Sequence, residues 1–200
     1  MAPKEDFLKT IYSARKESPE ELTIPAMNFL MIDGEGDPNG SVEFQACTEA
    51  LYGIAYTTKF SLKKSKGVDY KVPPLEGLWW AENMASFLEG KKDEWQWTLM
   101  IMQPKGVTAA AVEGARKTVS EKKSNPAINH VRFGEFKEGR VAQILHIGPY
   151  SNEHLTIERL HAYIRSRGGI LHGKHHEIYL GDARRTAPEK LKTIIRQPFA

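Results

Sequence analysis

The sequence predicts an α+β fold: a tandem βαββ duplication with two-fold pseudo-symmetry, antiparallel sheets with helices on one side, and a ligand groove between the halves. Three observations predict it. Some stretches carry apolar residues at helical spacing, while others alternate with a period of two. The two halves run through one order of elements: strand, Gly-rich turn with Pro, helix, strand, strand. The letters also repeat. Ile101-Met102-Gln103-Pro104 answers Ile195-Arg196-Gln197-Pro198, and Phe29-Leu30-Met31-Ile32-Asp33-Gly34 answers Gln143-Ile144-Leu145-His146-Ile147-Gly148. Glu76-Gly77-Leu78-Trp79 takes the place of Glu177-Ile178-Tyr179-Leu180. A βαββ unit cannot cover both faces of its own strands. Two of them side by side bury the helix-facing side and leave a seam, the kind of place ligands favour.

Composition bounds the function. A chain of 200 residues with 40% hydrophobic side chains fits one domain with a sizeable core, or one domain made of two similar halves. Lys+Arg 28 nearly balances Asp+Glu 25, and a net charge of +3 is no nucleic-acid footprint. The single Cys47 excludes an internal disulfide framework and a Cys-rich zinc site. It lies in the helical-looking stretch from Glu43 to Leu51, which suits a buried thiol better than a nucleophile. No apolar run is long enough to span a bilayer, and Met1 to Thr10 has no signal-peptide core. A cytoplasmic protein is the expectation.

In chain order, residues 1–23 read as a charged arm with an amphipathic piece around Phe7, Leu8, Ile11 and Tyr12, too short for a helix-turn-helix DNA reader. The domain proper is expected over 24–200, with one half at about 24–106 and the other at about 131–200. Pro25 to Asp33 reads as a strand, and Gly34 to Gly40 as an acidic loop that would repel phosphate. Asn39 or Ser41 caps a helix through Glu43 to Phe60, on which Phe44, Cys47, Leu51, Ile54 and Ala55 recur at helical spacing. Lys63, Lys64, Lys66 and Gly67 end it, as the helix dipole favours.

Tyr70 to Trp80 is a strand region whose two prolines hold its first part at an edge. Trp79 and Trp80 must face opposite ways if extended, so one is core and the other needs a second apolar environment such as a pocket. Glu82 to Lys92 reads as a connection with a short helix. Trp95 to Pro104 is a strand with Trp95 and Trp97 on one face. A helix over about 107–123, stopped by Ser124-Asn125-Pro126, is expected to join the halves. Strands over Val131 to Phe136 and Val141 to Ile147 follow, then the Gly148-Pro149-Tyr150-Ser151-Asn152 turn. A helix from His154 to Arg167 comes next, with Ser151 or Asn152 as cap, and the last strand runs from Leu191 to Pro198.

The stretch from His172 to Asp182 carries the chemistry. It reads as a strand closed by Gly181-Asp182. Alternation places His175, Glu177 and Tyr179 on one face, and His176, Ile178 and Leu180 on the other. A Glu in mid-strand has poor strand propensity, and an inward polar site is one reason for it; an exposed polar face is the other. His172, His175, His176 and Glu177 supply metal donors, but His175 and His176 point oppositely and the spacing matches no helical zinc motif. No metal is expected, and His176 reads as a packing histidine. Arg184-Arg185 reads as a solvated loop.

Five stretches together resemble the GyrI-like small-molecule-binding family, in its stand-alone branch. They are Pro74-Leu75-Glu76-Gly77-Leu78-Trp79-Trp80, Trp95 to Pro104, His146-Ile147-Gly148-Pro149-Tyr150, Gly173 to Leu180, and Leu191 to Pro198. The resemblance implies the same tandem βαββ fold and a buried Glu among aromatics. For the stand-alone branch it implies a cofactor-independent hydrolase that opens the activated cyclopropane of genotoxic cyclopropanoid natural products. The alternative is a non-catalytic module that senses or sequesters lipophilic, often cationic, aromatic molecules. The resemblance marks Glu177 first, as base or water positioner, with Tyr179 as the acid. Trp79, Trp80, Tyr150, His146, Glu76 and His175 are the expected ligand-binding set. The expected partner is a planar aromatic small molecule, without nucleic acid, membrane or metal.

Overall fold

The computed structural model describes residues 5–82 and 91–200, so most of the expected 82–92 connection lies outside the described residues. The fold is α+β, with antiparallel strand pairs and helices laid against them. The chain divides into two compact units. One comprises Met1–Ala26, Pro74–Leu78 and Lys137–Ala200; the other comprises Met27–Pro73 and Trp79–Phe136.

The second of these units is built on strand β2 (Met27–Glu35), helix α2 (Val42–Lys66), the end of β3 (Leu75–Trp80) and β4 (Gln96–Gln103). Strand β2 pairs with β4 on one side and with β5 (Arg132–Phe136) on the other. Helix α2 starts where the Ser41 hydroxyl accepts the Phe44 N–H, and it ends at Gly67, whose left-handed backbone suits only glycine well. It buries Cys47, Leu51, Ile54 and Ala55, the residues its periodicity selects, and ends at the expected basic residues and Gly67. Each buried aliphatic there contributes about 1.5–3 kcal/mol. Helix α3 (Ala109–Ser120) packs on α2 in this same unit, so the expected joining helix is part of one half. Gly53 lets the two helices approach, since a Cβ there would meet Val119 at 3.3 Å.

The other unit repeats the pattern with β6 (Gly139–Ile147), α4 (Glu153–Ser166), β7 (His175–Tyr179) and β8 (Lys192–Pro198). Strand β8 lies between β6 and β7, antiparallel to both, as β4 lies between β2 and β3 in the sheet order. Ala142, Ile144, Leu160, Ile164, Ile195 and Phe199 form its core under α4. The matching Gln-Pro letters fall at the same place in each repeat. The Gln103 amide donates to the Met102 carbonyl at 3.0 Å, and the Gln197 amide to the His172 carbonyl at 2.8 Å.

Within the expected short N-terminal helix or arm, the structure adds a strand. Helix α1 (Glu5–Ile11) is followed by a strand, β1 (Glu20–Ile24), paired antiparallel to β6. Two consecutive acidic residues at Glu20-Glu21 hid it, because an edge strand tolerates charges that a central strand does not.

Candidate functional site

Strand β7 sorts its side chains as alternation requires, and each face builds a different cluster. On one face, the Tyr179 hydroxyl donates to Glu177 Oε2 at 2.7 Å, and His175 Nε2 lies 3.2 Å from Glu177 Oε1. The Glu177 side chain is 15% exposed. The Tyr150 ring meets Tyr179 edge-on at 5.8 Å and is 41% exposed. Burial opposes the Glu177 charge, yet His175, Tyr179 and Glu153 together hold its carboxyl below the usual range. Burial, then the Glu177 charge, push the Tyr179 phenol far up, so it stays a hydrogen-bond donor.

Glu153 is the site residue that sequence reasoning missed. It is the first residue of α4, is 4% exposed, and its carboxyl lies beside that of Glu177, with its Oε1 buried and without a hydrogen-bond partner. Burial first, and the neighbouring Glu177 charge second, drive its proton affinity well above that of an ordinary carboxylate. A Glu at a helix start usually faces solvent and complements the dipole, so its sequence gave no signal.

His146 stands on β6. Its Nδ1 lies 2.9 Å from the Thr156 hydroxyl, and its Nε2 donates to the Pro149 carbonyl at 3.3 Å, leaving Nδ1 to accept from Thr156. Burial lowers its proton affinity, so it rests neutral, although the Glu177 charge reaches it. Gly148 permits this packing: its φ is +142°, and a Cβ there would lie 3.3 Å from His146 Nε2.

The other face of β7 holds a buried charge network. His176 Nδ1 meets Glu138 at 2.8 Å and Nε2 meets Glu76 at 3.1 Å. The Tyr12 hydroxyl donates to Glu76 at 2.7 Å. Arg196 donates to Glu138 at 3.2 Å, to Gln143 at 2.8 Å and to the Ile11 carbonyl at 2.6 Å. The expected ligand-binding residue Glu76 is therefore placed elsewhere: it hydrogen-bonds His176 and Tyr12 on the face opposite Glu177.

Trp79 and Trp80 belong to the other unit. Trp79 is buried there, stacked on Phe44 at 6.1 Å and edge-on to Trp95 at 5.8 Å, while Trp80 is half-buried. Trp97 is fully buried against Phe44 at 5.2 Å. Of the expected set, Glu177, Tyr179, His175 and Tyr150 come together, with His146 close enough to feel the charge. Among the described residues, no three His, Cys, Asp or Glu side chains gather in a way that could hold a metal ion. None of the helices described is long and apolar enough to cross a membrane.

Residues 17–199 match the family described as the GyrI-like small molecule binding domain. A crystal structure of an uncharacterized conserved protein from Listeria innocua is 40% identical, with a TM-score of 0.87 and 96% of each chain covered. Two crystal structures described as hydrolases from Listeria innocua are also similar. One is 36% identical with a TM-score of 0.84 over 98% of each chain; the other is 38% identical with a TM-score of 0.84 over 96% of each. The C-terminal domain of EcmrR shares the fold at 12% identity and a TM-score of 0.56. No curated protein matches the chain.

Proposed function

This chain belongs to the GyrI-like small-molecule-binding family, and from that premise we propose that it is a cofactor-independent hydrolase acting on cyclopropanoid natural products in the cytoplasm, as a detoxifying enzyme. The observation that carries the reading is the Glu177 carboxylate, on a side chain 15% exposed, with the Tyr179 phenol donating to it at 2.7 Å. The two Listeria proteins described as hydrolases, at 36% and 38% identity, support a bond-breaking role.

A cyclopropane conjugated to a ketone is an electrophile at its outer ring carbon. Water oxygen bonds to that carbon, and the ring C–C bond breaks. Its electron pair moves through the conjugated system to the carbonyl oxygen. Glu177 takes the proton that water loses, and Tyr179 gives one to the oxygen. The two groups are hydrogen-bonded to each other, so the proton on Glu177 then returns to Tyr179 and the site is reset. The half-exposed Tyr150 ring offers a face to a planar substrate, worth about 1 kcal/mol beyond burial. His146 and His175 hold the polar edge of the site.

The test is Glu177→Gln with a cyclopropanoid, read by mass spectrometry. The wild type is expected to form a hydrated product over many turnovers, and the variant to bind but lose about a hundredfold or more in rate. Turnover near wild type in the variant would remove Glu177 from the mechanism. A second reading has its own support: Glu177 rests ionised, which suits neutralising a lipophilic cation with no bond broken. Unchanged ligand held one to one by the wild type would favour that reading.

A further inference from the structure

We propose that Glu153 is the second carboxyl of the site: it holds a proton in the resting protein, donates it in a hydrogen bond to Glu177, and so keeps Glu177 singly charged and aimed. The inference rests on the hydrolase reading for its kinetic consequence, but not for its protonation state.

The geometry carries it. Glu153 is 4% exposed, sits at the first position of a 14-residue helix, and lies beside the Glu177 carboxyl. Two carboxylates that share a buried site cannot both ionise cheaply. One keeps a proton, and the question is which. Glu177 has other donors, the Tyr179 hydroxyl at 2.7 Å and His175 at 3.2 Å, so the charge rests there. Glu153 has the helix N-terminus alone, and its Oε1 is buried without a hydrogen-bond partner. A helix terminus favours ionisation only weakly. Its pull is less than the cost of placing a second buried charge beside the first, so the proton stays on Glu153.

The groups that face this pair are few. Strand β7 contributes His175, Glu177 and Tyr179; β8 contributes Thr193; the turn before α4 contributes Tyr150; β6 contributes neutral His146. Asp182, held to Arg184, acts on Tyr150 from the loop after β7. His161 on α4 lies beside His175, and burial lowers its proton affinity to about 4, so it too is neutral. Burial keeps His146 and His161 neutral, and His175 is already engaged with Glu177 at 3.2 Å, so Glu153 has no cation of its own among these groups. Glu153 acts through Glu177 and is a positioning residue. When Glu153 loses its proton at high pH, a second negative charge faces the oxygen on which the reaction builds negative charge, and turnover falls.

Three measurements test this. In wild type labelled with carbon-13 at the Glu carboxyls, one carboxyl resonance is expected to titrate above about pH 8, far from the ordinary value near 4.3. That titration is expected to vanish in Glu153→Gln. In turnover of a cyclopropanoid, Glu153→Ala is expected to lower kcat about tenfold, and Glu153→Gln, which restores a donor, to recover it to within about threefold. The wild-type kcat is expected to fall at alkaline pH, and Glu153→Gln to lose that fall. The proposal is overturned if no carboxyl titrates above about pH 7, or if the alkaline limb is the same in wild type and Glu153→Gln. A wild type with no turnover at all would sink the hydrolase reading, while the carboxyl titration would still decide the dyad. Should the variants fail to fold, the wild-type titration alone decides it.

Discussion

Replacing His176 with glutamine tests the buried charge network directly. The imidazole lies between Glu138 at 2.8 Å and Glu76 at 3.1 Å and is 1% exposed. Burial alone would strip its proton. Glu138 first and Glu76 second outweigh burial, and the proton affinity rises to about 9. Against an ordinary histidine near 6.5, that rise corresponds to about 3 kcal/mol of interaction that favours the charged form. The folded value is the higher one, so this stabilisation is complete below about pH 6.5 and is lost as pH climbs through about 9. Glu153 adds to the same alkaline loss, because its buried carboxyl, raised to about 9, keeps a proton that the unfolded chain releases. The informative quantity is therefore the difference between two proteins. Urea unfolding from about pH 6 to 10 is expected to show wild type losing about 3 kcal/mol more than His176→Gln. The variant starts lower, by about 3–5 kcal/mol at pH 6, because two buried carboxylates lose their shared cation. Parallel curves across that window would refute the reasoning.

Two further outcomes are expected. Tyr179→Phe removes a 2.7 Å hydrogen bond to an ionised carboxylate. It is expected to lower kcat about tenfold or more while ligand affinity, followed by tryptophan fluorescence, changes by less than about threefold; an unchanged kcat would take the acid role from Tyr179. Gly34→Ala sets a Cβ 2.1 Å from the Trp97 ring. A loss of about 2 kcal/mol or more is expected in thermal unfolding, and a melting temperature equal to wild type would mean the ring moves aside freely.

Much of the architecture was legible because it is written in local periods. The period of two on β7 put His175, Glu177 and Tyr179 together and turned His176 the other way. The helical spacing from Phe44 to Ala55, with Ser41 before it, announced α2. The shared Gln-Pro letters exposed the repeat because they end the same strand in each unit. What stayed hidden depends on partners far along the chain. Glu76 resembled a site residue by its place in the repeat, but its partner His176 lies 100 positions away and on the opposite face of β7. Glu153 looked like a solvated helix start, and only the packing of α4 on β6 and β8 buries it. Helix α3 looked like a bridge because its own sequence cannot announce that it packs on α2.

The Arg196 guanidinium reaches past its own strand to grip the Ile11 carbonyl, and Tyr12 grips Glu76. The match to the family begins at residue 17, downstream of both. A fragment cut at that border would leave a deeply enclosed cation and a carboxylate each short of a partner, in the same layer of the structure that braces the strand bearing Glu177. The stretch that matches the family is thus smaller than the unit that must fold, and Ile11 and Tyr12 serve as a keystone rather than a tail.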